Sequence, residues 1–257
     1  MRHKAYVPGV ALLAALVVGC SAGSGTGGQA ADSKPGSPSV TPAPPGKYRT
    51  LPDSCRAVPL SMLKDLLPGA AELPEKQQEK VYEGTPAVTY DTDRKVGCGW
   101  KSESADASRN LSIDFERVVS YDPSVSDDDQ AREVYEKKVT AAGLPATMPS
   151  AGDTSGHSAP ATAASGTPSP LGGGPGENLR PRTLDDLADA AFLDDVLTRA
   201  GSTAQHRTVS VVFRTSNVIV TVEYTEQPAL ITQVPDSKEL QEKARALAQK
   251  LAGTLSE

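Results

Sequence analysis

Hydrophobic positions along this chain follow four patterns, and each predicts a different kind of segment. Near the start they form an unbroken run, Val10–Val18. Over residues 20–47 and 145–178 they nearly vanish, leaving mostly Gly, Ser, Ala, Thr and Pro. Elsewhere they recur either at helical spacing or on every second residue. Helical stripes are Met62, Leu63, Leu66 and Leu67, then Ala131, Val134, Tyr135 and Val139, and last Leu240, Ala244, Leu247 and Leu251. Alternation marks Val96–Lys101, where Cys98 and Trp100 share a face, and Asn110–Glu116, where Leu111, Ile113 and Phe115 do. The strongest strand signal is Thr208–Tyr224, a hairpin turning at Ser216-Asn217, where Asn tolerates a positive φ. It sets Val209, Val211 and Phe213 on one side of the first strand and Val218, Val220 and Val222 on one side of the second.

Helix punctuation agrees with these stripes. Pro59 suits a first turn and Pro68-Gly69 a stop, giving a short helix over 59–67. Ser126 caps a helix over Asp127–Ala142, with Asp127, Asp128 and Asp129 at the positive end of its macrodipole and Gly143 after its end. Asp236-Ser237 caps the last helix and Gly253 ends it. Ala87–Tyr90 reads as a further strand and Ser102–Arg109 as a hairpin loop, while residues 72–80 are polar and stay unassigned. Thr183 with Asp185 and Asp186 resembles a helix opening; Leu184–Arg199 is either one helix or a turn plus a short strand at Ala191–Leu193. The expected architecture is a single α+β domain over residues 48–257, a twisted and mostly antiparallel sheet with helices packed on one face. Residues 145–178, which hold His157 and Gly172–Gly176, read as a disordered insertion, because neither flank has enough core to fold alone. Each half runs from a short helix through strands to a closing helix, which raises the hypothesis of a duplicated unit.

The first apolar run carries an address. It follows Arg2 and Lys4 and is far shorter than the ~20 residues that span a bilayer. It therefore fits the core of a secretory signal over residues 1–19 better than a membrane-anchored helix with a chance cysteine. Val17-Val18-Gly19 is not a small-x-small cleavage site, but directly followed by Cys20 it looks like a lipobox. On that reading Cys20 is the first mature residue and carries a diacylglyceryl group, whose two chains suffice for stable anchoring. No twin-arginine pair precedes the run, so general secretion is the expected route. Residues 20–47 then form a disordered stalk that holds the domain clear of the lipid headgroups on the extracytoplasmic side of the cell membrane.

Cysteine count and charge narrow the chemistry. The chain has 257 residues and three cysteines. Lipid accounts for Cys20, leaving Cys55 and Cys98 to pair in an oxidising compartment, worth ~4 kcal/mol in the chain-entropy model. A redox or metal pair is the alternative, but it lacks both Cys-x-x-Cys spacing and a nearby His. The net charge is −6, and loss of the basic leader makes the mature chain more acidic still. Without a Lys/Arg cluster, nucleic acid is not an expected partner.

Other candidates have plainer explanations. Ser126–Asp129 lacks the spacing of a calcium loop and reads as a cap. Gly172–Gly176 is not followed by Gly-Lys-Ser/Thr and is no phosphate cradle. Trp100, the one Trp of the chain, reads as a core residue beside the disulfide. His206 reads as a surface residue, since no Ser or Cys nucleophile has a recognisable context. Arg214 reads as a solvated charge at a strand edge.

Asp53-Ser-Cys55, a Leu-rich short helix and then Cys98-Gly-Trp100 together resemble a large family of actinobacterial cell-surface lipoproteins of unknown function. Members tend to show Asp-x-Cys near the domain start and Cys-x-Trp some 40 residues on, with the cysteines bridged. The resemblance covers about residues 48–257 and supports the Cys55–Cys98 pairing. It also implies a Gly-Asp-x-Ala loop, which Ala188-Asp-Ala-Ala191 matches with the glycine lost. It implies no activity, substrate or catalytic residue. The expectation is therefore a non-enzymatic envelope module without cofactor or metal, attached to the membrane through Cys20, that binds an envelope protein or small ligand. A carrier of an apolar ligand and an unrecognised enzyme are the alternatives, requiring respectively a large apolar cavity and polar groups that converge in a cleft.

Overall fold

The two alternating runs at the heart of the sequence become neighbouring pairs in one sheet. The computed structural model describes residues 41–144, 179–198 and 205–256. The signal, Cys20, most of the stalk and the 145–178 insertion with His157 lie outside the described residues. Among those described, the strands are β1 (Thr85–Pro86), β2 (Lys95–Glu103), β3 (Ala107–Arg117), β4 (Arg182–Leu184), β5 (Ala190–Thr198), β6 (His206–Thr215) and β7 (Val218–Pro228). They form one sheet in the order β1-β2-β3-β7-β6-β5-β4, antiparallel throughout. The helices are α1 (Leu60–Leu66), α2 (Glu75–Glu83), α3 (Asp127–Ala141) and α4 (Ser237–Ser256). The fold is a single α+β domain.

Strand alternation divides the side chains between two layers. Cys98, Trp100, Leu111, Ile113, Phe115, Leu193, Val209, Val211, Phe213, Val220, Val222 and Tyr224 point into one core. The α1 and α4 stripes close it, with Leu63, Leu66, Leu240, Ala244, Leu247 and Leu251 all buried. Burial lifts the Tyr224 hydroxyl far above the ordinary tyrosine range, and it donates to the Leu66 carbonyl at 2.6 Å. Cys55 and Cys98 are bonded, tying the entry of the domain to β2, with Cα atoms 5.1 Å apart. Trp100 packs beside them and donates from Nε1 to the Tyr82 carbonyl at 3.1 Å. Gly84, at φ +74°, lies so close to that indole and to Cys98 Sγ that a Cβ would collide with both.

The arrangement of helices differs from one-sided packing. Helix α3 lies on the opposite face, where Ala131, Tyr135 and Val139 meet Val118, Phe192, Val212 and Ile219. The reason is visible in the even-numbered positions of β5 and β6: Phe192 and Val212 are apolar where strict alternation calls for polar residues. The helices that close the two halves, α3 and α4, thus sit on opposite faces, and the halves do not repeat one another.

Local expectations also change. Past β1, Ala87 still donates from N to the Gly97 carbonyl at 2.8 Å, but residues 88–90 are not in a strand, and Val88 and Tyr90 are fully exposed. Residues 75–83 are helical. Thr183 opens no helix: β4 and β5 form a hairpin around 185–189, with Leu184 opposite Ala191. Ala188 occupies its turn at φ +54°, so the position where the resembling family carries glycine is a left-handed one. In the 216–217 turn the positive φ falls on Ser216, at 49°. Asn217 is instead fully buried, because its side chain is needed elsewhere. Helix α4 runs through Gly253 to Ser256.

The folded body begins earlier than residue 48. Ala43 N donates to the Pro123 carbonyl at 2.8 Å, Gly46 N to Asp127 Oδ2 at 2.9 Å, and Tyr48 N to Asn217 Oδ1 at 2.9 Å. Asn217 Nδ2 donates in return to the carbonyls of Tyr48 and Val118. A Cβ on Gly46 would overlap the Asn217 side chain. Residues 41–47 are therefore a strap on the sheet and not part of a free stalk.

Candidate functional site: the open half of the sheet

Helix α3 covers the second face only toward the end of the sheet that carries the 216–217 turn. Toward the other end, the same strand positions are polar, and no described residue covers them. The register sets them in rows across the sheet. Gly99, Ser112, Glu223, Ser210 and Asp194 are successive cross-strand partners from β2 to β5, and Lys101, Asn110, Thr225, Thr208 and Val196 form the next row. Apart from Gly99 and Val196, each position carries a hydrogen-bonding side chain. These residues are half-buried or exposed. Thr208 and Thr225 hydroxyls bond each other at 2.9 Å, and Ser112 Oγ donates weakly to Glu223 Oε2 at 3.5 Å.

A groove of about 570 Å³ opens on this surface. Its wall is Thr85, Pro86 and Ala87; Lys101, Asn110, Ser112, Asp114, Glu223 and Thr225 are among its polar groups. Its depth comes from glycine. Gly97 and Gly99 remove two side chains from β2 on this face. Asp114 Oδ1 and Ala87 crowd the place a Cβ on Gly97 would take, whereas a Cβ on Gly99 would meet nothing nearer than the Leu111 carbonyl at 3.9 Å. The groove is lined by two carboxylates, Asp114 and Glu223, and one ammonium, Lys101. Lys101 is already paired with Glu103 at 2.7 Å. Asp114 and Glu223 have no basic side chain within ion-pair distance among the described residues. Two strands along the Glu223 row, partial burial raises the Asp194 carboxyl above its ordinary value; a backbone hydrogen bond at Asp195 opposes this, and the Asp195 charge adds to it.

A second polar cluster is sealed in the first core. Asp195 accepts from Arg207 Nη1 at 2.5 Å, from Ser237 Oγ at 2.5 Å and from Gln241 Nε2 at 2.7 Å. Arg207 Nε donates to the Pro235 carbonyl at 3.0 Å, and Arg182 Nη2 to Gln241 Oε1 at 2.6 Å. Asp195, Arg207 and Gln241 are all buried, and their mutual bonds answer the cost of taking charge out of water. This cluster pins the start of α4 to β5 and β6. Sequence reasoning missed it, although a signal existed: Arg207 stands in the same period-two register as Val209, Val211 and Phe213.

The residues singled out from the sequence are dispersed. Cys55, Cys98 and Trp100 meet in the core. Ser126 caps α3 by accepting from Asp129 N at 3.1 Å. Together with Arg132 it holds the Asp129 carboxyl below its usual range. Arg214 is not a solvated edge charge: β6 is an inner strand, and its guanidinium, 11% exposed, donates to the Ser216 carbonyl and lies 3.3 Å from Asp189. His206 is half-buried at the start of β6. None of them lines the groove except Cys98 and Trp100. The groove was invisible because its residues are ordinary polar positions of strands, and Gly97 and Gly99 acquire meaning only once β1 and β3 flank them.

Among the described residues, no group of three or more His, Cys, Asp and Glu is arranged to hold a metal, and no helix is long and apolar enough to cross a membrane. No protein-family model and no curated protein matches the chain.

Proposed function

We propose that this protein is a lipid-anchored, extracytoplasmic binding module, non-enzymatic, that holds a polar partner against the open half of its sheet. The observation that carries this is the uncovered polar surface itself. A sheet half-face rich in hydroxyl, amide and carboxylate groups needs no helix over it to be stable, and it offers many hydrogen-bonding groups at fixed spacing. The groove itself combines polar side chains with apolar surface from its wall and from the strands beneath. The anchor rests on the lipobox ending in Cys20 and on the resemblance carried by Asp53-Ser-Cys55 and Cys98-Gly-Trp100.

Tyr48 is fastened beside the 216–217 turn, at one end of the strands, and the open rows lie toward the other. Residues 43 and 46 are held at that same end, by Pro123 and Asp127. Two measurements test the proposal. Mass spectrometry of the mature N-terminal peptide should find diacylglyceryl on Cys20; an unmodified Cys20 sinks the anchoring. A photo-crosslinker at Asn110 should capture partners on intact cells that the same group at Gln249, on the outer side of α4, does not. Equal capture at both positions would remove the open face from consideration.

A further inference from the structure

We propose that the groove over Gly99 binds a lysine-type side chain of a peptide, with the carboxylates of Asp114 and Glu223 as counter-charges to its ammonium. This rests on reading the open face as the binding surface, and it adds the chemistry of the partner. The groove, about 570 Å³, lies within the range of ordinary ligand sites. It is a slot along β2, left by the missing side chain of Gly99, between the wall at Thr85–Ala87 and the polar row of β3. A slot of that form takes an unbranched stem, and the exposed Val88 directly after the wall offers apolar surface at its rim.

Charge selects the head group. Lys101 also lines the groove and reaches out to the exposed Glu103, so the lining sets two carboxylates, Asp114 and Glu223, against one ammonium. On balance the groove is acidic and favours a cation over an anion. Among the described residues, no third carboxylate, His or Cys is arranged with these two as a metal site. A divalent ion needs six or more oxygens to replace its water, whereas an ammonium needs three acceptors. The two carboxylates and the Ser112 hydroxyl can supply three. Asn110 and Thr225 remain for the peptide groups on either side, which makes a peptide a better fit than an isolated amine.

The test uses the mature, lipidated chain in detergent micelles, titrated with acetyl-Gly-Lys-Gly-amide and with the same peptide acetylated on the lysine nitrogen. The lysine peptide should bind saturably, and acetylation should weaken it about tenfold or more, because the charge-assisted bonds are lost. Glu223→Gln and Asp114→Asn should each weaken binding about fivefold at low salt. Gly99→Gln should abolish binding while the thermal midpoint stays within a few degrees. Glu223 is exposed, so Glu223→Gln keeps the test decisive even if Gly99→Gln unfolds. Equal affinity for the two peptides overturns the ammonium assignment. So does binding of a neutral oligosaccharide in place of the lysine peptide. If Gly99→Gln still blocks binding in either case, the open-face reading survives. Failure of every probe, together with crosslinks at Asn110 that Gly99→Gln leaves unchanged, overturns both.

Discussion

The two faces of the sheet are built from the same strands and differ in what their polar groups do. On the closed face, α1 and α4 seal a continuous apolar layer, and the polar side chains trapped there are spent on one another. Asp195 has three donors and Arg207 two acceptors, all within the buried cluster. On the other face, α3 covers the Phe192–Val212–Ile219 patch and stops. Beyond it, Asp114 and Glu223 pair with no basic side chain among the described residues. Adjacent residues of one strand thus serve opposite ends: Asp194 looks outward to solvent, Asp195 inward to a guanidinium. A one-residue change of register would exchange the two roles.

The comparison breaks most readily on the closed side. Asp195→Ala strands Arg207 in the core and should cost about 3–5 kcal/mol in denaturant unfolding. Replacing both, as Asp195→Leu with Arg207→Met, should recover much of that loss. A single variant costing no more than a surface substitution would show that the cluster is not sealed. Next in size is the covalent tie. Cys55→Ala with Cys98→Ala should cost about 2–4 kcal/mol without changing the far-UV spectrum of the folded state.

A smaller effect tests the β4–β5 turn. A non-glycine residue in the left-handed region costs ~1–2 kcal/mol, partly offset by the greater freedom of glycine when unfolded. Ala188→Gly should therefore stabilise by about 0.5 kcal/mol. Destabilisation would mean that Ala188 does not hold the φ of +54° it has here.

The smallest expected effect lies on the open side, where Asp194 has a raised carboxyl. Such a group binds its proton more tightly folded than unfolded. Its contribution is present below the ordinary aspartate value of 3.8 and is lost as pH rises through the raised one. Between those limits wild type should lose slightly more stability than Asp194→Asn, read as the difference of their thermal midpoints against pH. An Asp194→Asn curve parallel to wild type would place Asp194 in full solvent.

Much of the fold was legible where pattern and packing agree. The β6–β7 hairpin, the β2–β3 pair, α3 with its Ser126 cap and the α4 stripe follow from periodicity, because burial of one face enforces it. Expectation failed where local preference met a tertiary demand. Thr183 with two acids resembles a cap, but Leu184 and Ala191 pair across a hairpin instead. Gly253 looks like a stop, but α4 passes through it to Ser256. Gly46 belongs to a low-complexity stretch by composition, yet the absence of its side chain lets the strap lie against Asn217.

By itself the sequence determined which residues alternate and where α1, α3 and α4 begin, and it offered Cys55 and Cys98 as the expected pair once residues 17–20 are read as a lipobox. These are local or countable properties. Which helix lies on which face, and how far α3 reaches, only the tertiary structure decided. Those depend on contacts between residues distant along the chain, such as Tyr135 with Phe192, whose ring centroids are 5.8 Å apart. The groove is of the same kind: Gly99, Asp114 and Glu223 are unremarkable in their own strands, and become one surface because β3 pairs with both β2 and β7.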